Sequence, residues 1–180
     1  MKKLTLLRHA KSDWTDRSMR DFDRPINERG IRGAIAMGRY LAEQKTRFDC
    51  VIASPAVRVV ETIDQLETSY GLSLKADWDR RIYLASSVTL MDLLRGLSGD
   101  PDHVLMVGHN PGLEDLIFDL VPDDGTSPLR DEVEDKLPTA ALAVLELAIE
   151  KWSAIEEHCA KLVALTRPRD LDPALGPQDI

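Results

Sequence analysis

An α/β fold built on a mainly parallel sheet is predicted by three features of the 180-residue sequence. Short apolar runs of strand length alternate with longer amphipathic stretches, the pattern of βαβ units. Turn and capping signals, among them Ser54-Pro55, Ser98-Gly99-Asp100-Pro101 and Gly108-His109-Asn110-Pro111-Gly112, separate those runs. Apolar residues make up 43% of the chain, enough for one substantial core at a length that suits one domain.

Leu4 to Leu7 reads as the first strand, and the polar segment from Lys11 to Arg24 is too long and too rich in Asp and Arg for a tight turn, so it reads as a surface loop. Asn27 is an N-cap for a helix carrying Ile31, Ile35, Tyr40 and Leu41 at roughly helical spacing. Cys50 to Ala53 is the second strand. Ser54 then reads as a cap, with Pro55 at the first position of a helix that buries Val59, Ile63 and Leu66 and carries Arg58 in its first turn. Ser87 to Leu97 is a third helix and His103 to Val107 a third strand.

Leu113, Leu116, Ile117 and Leu120 form the stripe of a fourth helix, whereas the acidic stretch between Pro122 and Pro138 has no clear periodicity and reads as loop. Ala140 to Leu147 and Lys161 to Thr166 read as further strands, the second being equally open to a helix continuing from Lys151. Residues 1–171 form one expected domain; 172–180, with two prolines and a glycine, read as a disordered tail.

Charge and cysteine usage narrow the classes. A net charge of −8 without a Lys/Arg tract argues against a nucleic-acid or anionic-membrane surface. The two cysteines, Cys50 and Cys159, lack the spacing of a disulfide framework and read as buried thiols. The apolar stretch before Arg8 is too short for a signal peptide or a membrane span, so a cytoplasmic protein is expected, and no exposed apolar stripe demands anything beyond a monomer.

In open α/β sheets, ligands bind beyond the carboxyl ends of the strands. Strand one ends in Arg8-His9, strand two hands over to a helix carrying Arg58, and strand three ends in Gly108-His109. A parallel sheet would gather these two arginines and two histidines at one edge. In an acidic protein that is a local site for an anion, and the planar fork of arginine suits a tetrahedral oxyanion such as phosphate, at about 1.5–3 kcal/mol per charge-assisted bond. Taken singly, each residue has a blander role: a surface ion pair for Arg8, a solvated helix position for Arg58, a loop contact for His109, and ordinary core or surface places for His103 and His158. Placement at matching strand ends is what favours a shared site.

Those segments carry a family resemblance. Leu6-Leu7-Arg8-His9-Ala10 resembles the Arg-His-Gly signature of the histidine phosphatase superfamily, with Ala10 in the glycine position. Ser54-Pro55-Ala56-Val57-Arg58, with Glu61-Thr62, and Val107-Gly108-His109-Asn110-Pro111 resemble its second and third segments. Arg24-Pro25-Ile26-Asn27 to Gly30, Leu137-Pro138-Thr139-Ala140 and Thr166 to Leu171 are similar to the SixA-type phosphohistidine phosphatases, so the likeness runs from Leu4 to about Leu171. It implies a phosphoglycerate mutase-like, three-layer α/β/α fold whose mainly parallel central sheet carries one antiparallel strand near the C-terminus.

The resemblance also implies chemistry. His9 would be the nucleophile, with Arg8, Arg58 and His109 holding phosphoryl oxygens, no metal and no cofactor. Nearby guanidiniums should lower the pKa of His9, as a neutral nucleophile requires. Many ester-hydrolysing relatives and mutases carry a glutamate that protonates the leaving alkoxide; the corresponding stretch here, Arg81 to Ser87, has no carboxylate. An imidazole leaves without such help. A phosphohistidine on a protein is therefore the expected substrate, unless Asp13, Asp16 or Asp23 folds over from the loop. Ser12 is a further candidate donor to the phosphoryl group, or a turn residue; Lys11 screens substrate charge or is simply solvated; Trp14 packs on substrate or anchors its loop. The competing readings are a broad phosphomonoesterase or mutase acting on small phosphate esters, a hydrolase with a metal on His9, His109 and aspartates, and a noncatalytic module that binds phosphoproteins.

Overall fold

The computed structural model describes residues 1–177. Its centre is a six-stranded sheet of order β3-β2-β4-β1-β5-β6, from β1 (Lys2–Arg8), β2 (Cys50–Ala53), β3 (Asp77–Trp78), β4 (His103–Gly108), β5 (Leu142–Leu147) and β6 (Ala160–Thr166). Strands β3, β2, β4 and β1 pair in parallel; β5 runs antiparallel to both β1 and β6. The sheet is thus mainly parallel with one reversed, C-terminal strand. The edge strand β3 is two residues long, too short to leave a sequence signal.

Alternation along the strands divides the core. Leu4, Leu6, Val104 and Met106 pack with α3 (Ser87–Arg95) and α4 (Gly112–Leu120) on one face. Leu7, Leu105, Val107 and Val51 pack with α1 (Glu28–Glu43) and α2 (Val57–Tyr70) on the other. This is the three-layer α/β/α arrangement: strands buried on both faces have no polar side to offer. Asn27 caps α1 by accepting from the Gly30 amide at 2.8 Å, an interaction of about 1 kcal/mol. Gly30 itself has no room for a side chain, since a Cβ there would lie 2.3 Å from the Lys11 carbonyl oxygen. That contact seats the long loop after β1 directly on α1.

Several sequence expectations need correction. The stretch from Pro122 to Pro138 is not all loop: α5 (Pro128–Asp135) lies within it, capped by Ser127 and burying Arg130 and Val133. Helix α2 starts at Val57, with Ala56 at the N-cap and no side-chain cap; Ser54 is used elsewhere. The ambiguous stretch from Lys151 resolves into a 3-10 turn at Trp152–Ala154 and strand β6. Cys50 and Cys159 are free but only half-buried. In the stretch 172–180, expected to be a disordered tail, Pro173–Leu175 form a 3-10 turn after the short α6 (Pro168–Leu171), and Arg29 donates to the carbonyls of Ala174 and Gly176; residues 178–180 lie outside the described residues. Among the described residues no helix is long and apolar enough to cross a membrane.

Candidate active site

The adjacent parallel strands β2, β4 and β1 end in step. Arg8 pairs in register with Gly108, and Ala53 with Val107. The amides of the next residues continue the ladder: His9 donates to the Gly108 carbonyl at 3.1 Å and Ser54 to that of Val107 at 3.1 Å. His9, His109 and Ser54 are therefore neighbours because the sheet is parallel there. The two imidazole rings lie 5.3 Å apart, centre to centre. Arg58, in the first turn of α2, is 5% exposed rather than solvated, and with Arg8, His9 and Asp21 it lines one open cavity.

Hydrogen bonds fix both imidazoles. His9 Nδ1 is 2.8 Å from the Ala10 carbonyl oxygen. A carbonyl only accepts, so Nδ1 carries the proton and Nε2 keeps its lone pair. Burial first, and the charges of Arg58 and Arg8 next, lower the pKa of His9 to about 4, so the neutral ring prevails at pH 7. Guanidiniums, expected from sequence to be the cause, rank behind desolvation. His109 Nε2 lies 2.8 Å from Ser54 Oγ, whose oxygen accepts from the Ala56 amide at 3.3 Å. The hydroxyl proton is then free to go to Nε2, which places the His109 proton on Nδ1, a buried atom without a partner among the described residues. Burial, followed by Arg58 and His9, lowers the pKa of His109 to about 3. Thr62 supports the same floor, donating to the Arg58 carbonyl at 2.6 Å and accepting from the Ala10 amide at 2.9 Å.

The arginines are held as firmly. Arg8 donates to the Leu137 carbonyl at 3.1 Å, and its buried Nε has no partner among the described residues. Arg58 donates to Asp21 twice, to the main-chain oxygen at 2.7 Å and to the carboxylate at 2.9 Å. The same carboxylate oxygen accepts from the Tyr83 hydroxyl at 2.6 Å, and Tyr83 stands edge-on to His109 at 5.4 Å. Burial raises the pKa of Asp21, but hydrogen bonds from Tyr83 and Arg58 outweigh it and hold the carboxyl below its ordinary range.

Asp21 is the site residue that sequence reasoning missed. It sits on a 3-10 turn (Asp21–Asp23) inside an aperiodic loop, and only proximity to Arg58 singles it out. The three aspartates considered instead are turned to their own loop: Asp13 accepts from the Thr15 amide, Asp16 from Ser18, and Asp23 pairs with Arg20. Ser12 Oγ, a candidate phosphate donor, accepts from Trp14 Nε1 at 3.0 Å. Trp14 is 60% exposed, stacks on Arg24 within its loop and also lines the cavity. Lys11 and Ser12 do line the mouth of the cavity. Elsewhere, His103 meets Thr5 Oγ1 at 2.7 Å, away from these groups. Among the described residues, no group of three or more His, Cys, Asp or Glu side chains is placed to hold a metal ion.

The model of the histidine phosphatase superfamily (branch 1) matches residues 4–81, which hold Arg8, His9 and Arg58. An uncharacterized protein of Mycobacterium tuberculosis is 32% identical over 164 residues, 91% of this chain and 100% of that protein. The fold superposes on a protein assigned as the phosphohistidine phosphatase SixA from Agrobacterium tumefaciens, with a TM-score of 0.77 at 27% identity over 93% of this chain and 98% of that one.

The chain belongs to the histidine phosphatase superfamily. Within it the chain is of the SixA type: a second structure with the same assignment, from Nakamurella multipartitia, gives a TM-score of 0.79 at 26% identity over 93% of this chain and 96% of that one. The segment that the family model matches holds the neutral imidazole of His9 and the cationic Arg8 and Arg58 that share its cavity.

Proposed function

We propose that this histidine phosphatase hydrolyses phosphohistidine on a protein, by way of a covalent phosphohistidine on His9. His9 Nε2 attacks phosphorus, the P–N bond to the substrate imidazole breaks, and that imidazole takes a proton from solvent as it leaves. Water then attacks the phosphorus on His9, releasing inorganic phosphate and restoring the neutral ring. Arg8, Arg58 and the Nδ1–H of His109 hold the charged oxygens through both displacements. Donors fixed before the reaction stabilise developing charge without reorganising, which is how such sites gain most of their rate.

One observation carries the choice of a P–N substrate. Among the described residues the single carboxylate that lines the cavity, Asp21, is ionised and already bound to Arg58 and Tyr83. A carboxylate in that state is a poor proton donor to an alkoxide, whereas an imidazole leaves near neutrality. The SixA neighbours, assigned as phosphohistidine phosphatases, support the same reading. Turnover of a phosphohistidine peptide should exceed that of alkyl phosphate monoesters by about 100-fold, the scale of general-acid catalysis; faster ester hydrolysis would make the protein a phosphomonoesterase. A stoichiometric, acid-labile phosphoenzyme should form in the wild type, and its absence would leave only a binding module.

A further inference from the structure

The cavity that holds His9 extends far past it. About 640 Å³ in volume, it runs from Arg8 and Arg58 along Thr139 and Ala140 to Arg169 and the turn at Leu175 and Gly176. Sites for whole small molecules span about 300–1,000 Å³, so a phosphoryl group leaves most of this space to whatever carries it. The outer lining is basic: Lys11, Arg29, Lys136, Arg167 and Arg169, and among the described residues it holds no carboxylate besides Asp21. In a chain with 31 acidic and 23 basic residues, that excess is local.

These outer cations are not equally available. Arg167 is held by Asp170 at 2.9 Å and faces Glu132 at 3.9 Å, and Arg29 is spent on the Ala174 and Gly176 carbonyls. Lys11, Lys136 and Arg169 are exposed, and among the described residues none of them forms an ion pair. They stand on three separate segments around the mouth: the loop after β1, the C-terminal end of α5, and α6.

We propose that this rim is a docking surface for acidic side chains that flank the phosphohistidine of a protein substrate; the inference rests on the phosphohistidine phosphatase activity argued above. A small molecule with a second anionic group is gripped by enclosure, which buries most of its surface. Three exposed cations on different segments enclose nothing, but a protein surface is broad enough to meet them together. Exposed charges contribute little affinity each. Acting in concert they steer encounter and raise the association rate, an effect that salt removes.

The test compares kcat/KM for three phosphohistidine peptides, with acidic, neutral and basic flanks, and for phosphoramidate, which has no flanks. The wild type and a Lys136→Glu/Arg169→Glu variant are each measured at low and high salt. At low salt the wild type should favour the acidic peptide over the basic one by about tenfold, the variant should reverse that order, and added salt should bring both toward parity. At high salt phosphoramidate should be turned over equally by both proteins, and at low salt it should lose far less in the variant than the acidic peptide does. Indifference to the flanks, an equal loss on phosphoramidate, or equally strong salt-sensitive selection of a small phosphoramidate bearing a carboxylate would overturn the docking surface. Failure of the phosphohistidine peptides and of phosphoramidate alike to give turnover or a phosphoenzyme would overturn the underlying activity, and the docking surface with it.

Discussion

The cations around the cavity fall into two sets that the chain holds in different ways. Arg8 and Arg58 sit at the bottom, half-buried and buried, with their guanidiniums tied to the Leu137 carbonyl and to Asp21. Lys11, Lys136 and Arg169 stand at the rim, exposed and, among the described residues, without an ion pair. Two unit charges 4 Å apart interact by about 1 kcal/mol in bulk water but by about 4 kcal/mol at the effective dielectric of a protein surface layer. The same charge is therefore worth several times more at the bottom, where it can stabilise a reacting phosphoryl group and depress a neighbouring pKa. At the rim it acts only as long-range attraction.

Removing the proposed nucleophile should separate the two sets most sharply. His9→Ala is expected to lower turnover of a phosphohistidine peptide by about 10⁴-fold or more and to abolish the acid-labile phosphoenzyme, while the salt dependence of peptide binding, read by fluorescence anisotropy, stays as in the wild type. Persistent phosphoenzyme would move the chemistry off His9. Arg58→Ala should cost about 10²–10³-fold in kcat, because a fixed donor to the charged oxygens is lost. A cost no larger than that of Lys136→Glu would erase the distinction between bottom and rim.

Ser54→Ala should cost about tenfold in kcat, the scale of one hydrogen bond, because His109 is released to the wrong tautomer. Ser54→Thr should restore most of it, and a loss confined to KM would mean that Ser54 does not act through His109. The smallest effect is an expected absence: in an NMR titration the ring signals of His9 and His109 should stay flat from about pH 8 to about pH 5, since their pKa values lie at about 4 and about 3. Both values are depressed from an unfolded value of 6.5, so the stability these rings lend is complete above 6.5 and declines as pH falls toward the folded values. Urea midpoints should be lower at pH 5 than at pH 7. A ring titrating near 6.5 would show that the buried guanidiniums and the desolvation around them are weaker than the geometry indicates.

What could be read from the sequence was whatever burial writes into it. β1, β2 and β4 are apolar runs because both of their faces are covered, and Asn27 before a helical stripe marks a cap that the structure contains. The placement of Arg8, His9 and His109 at one edge needed only the additional rule that parallel strands end together. Elements with little to bury stayed hidden. α5 covers only Arg130 and Val133, so its stripe is two residues wide and reads as an acidic loop. Asp21 carries no periodicity at all, and its importance lies in partners 37 and 62 residues away. Ser54 looked like a cap because Ser-Pro is a capping signal; the competing hydrogen bond to His109 spans 55 residues.

The backbone of one residue has a reach out of proportion to its size. The Leu137 carbonyl accepts from Arg8 at 3.1 Å and from Asn110 Nδ2 at 2.9 Å, and its amide donates to Glu114 at 3.0 Å. Two segments far apart along the chain, at Arg8 and at Asn110 to Glu114, thus converge on the backbone of a single residue, which no side-chain substitution short of proline removes. Length changes in the connection ahead of α5, at residues 122–127, leave that junction intact, whereas an insertion or deletion at 136–140 would pull Arg8 out of place. Diversification of this scaffold has room on one side of Leu137 and none on the other.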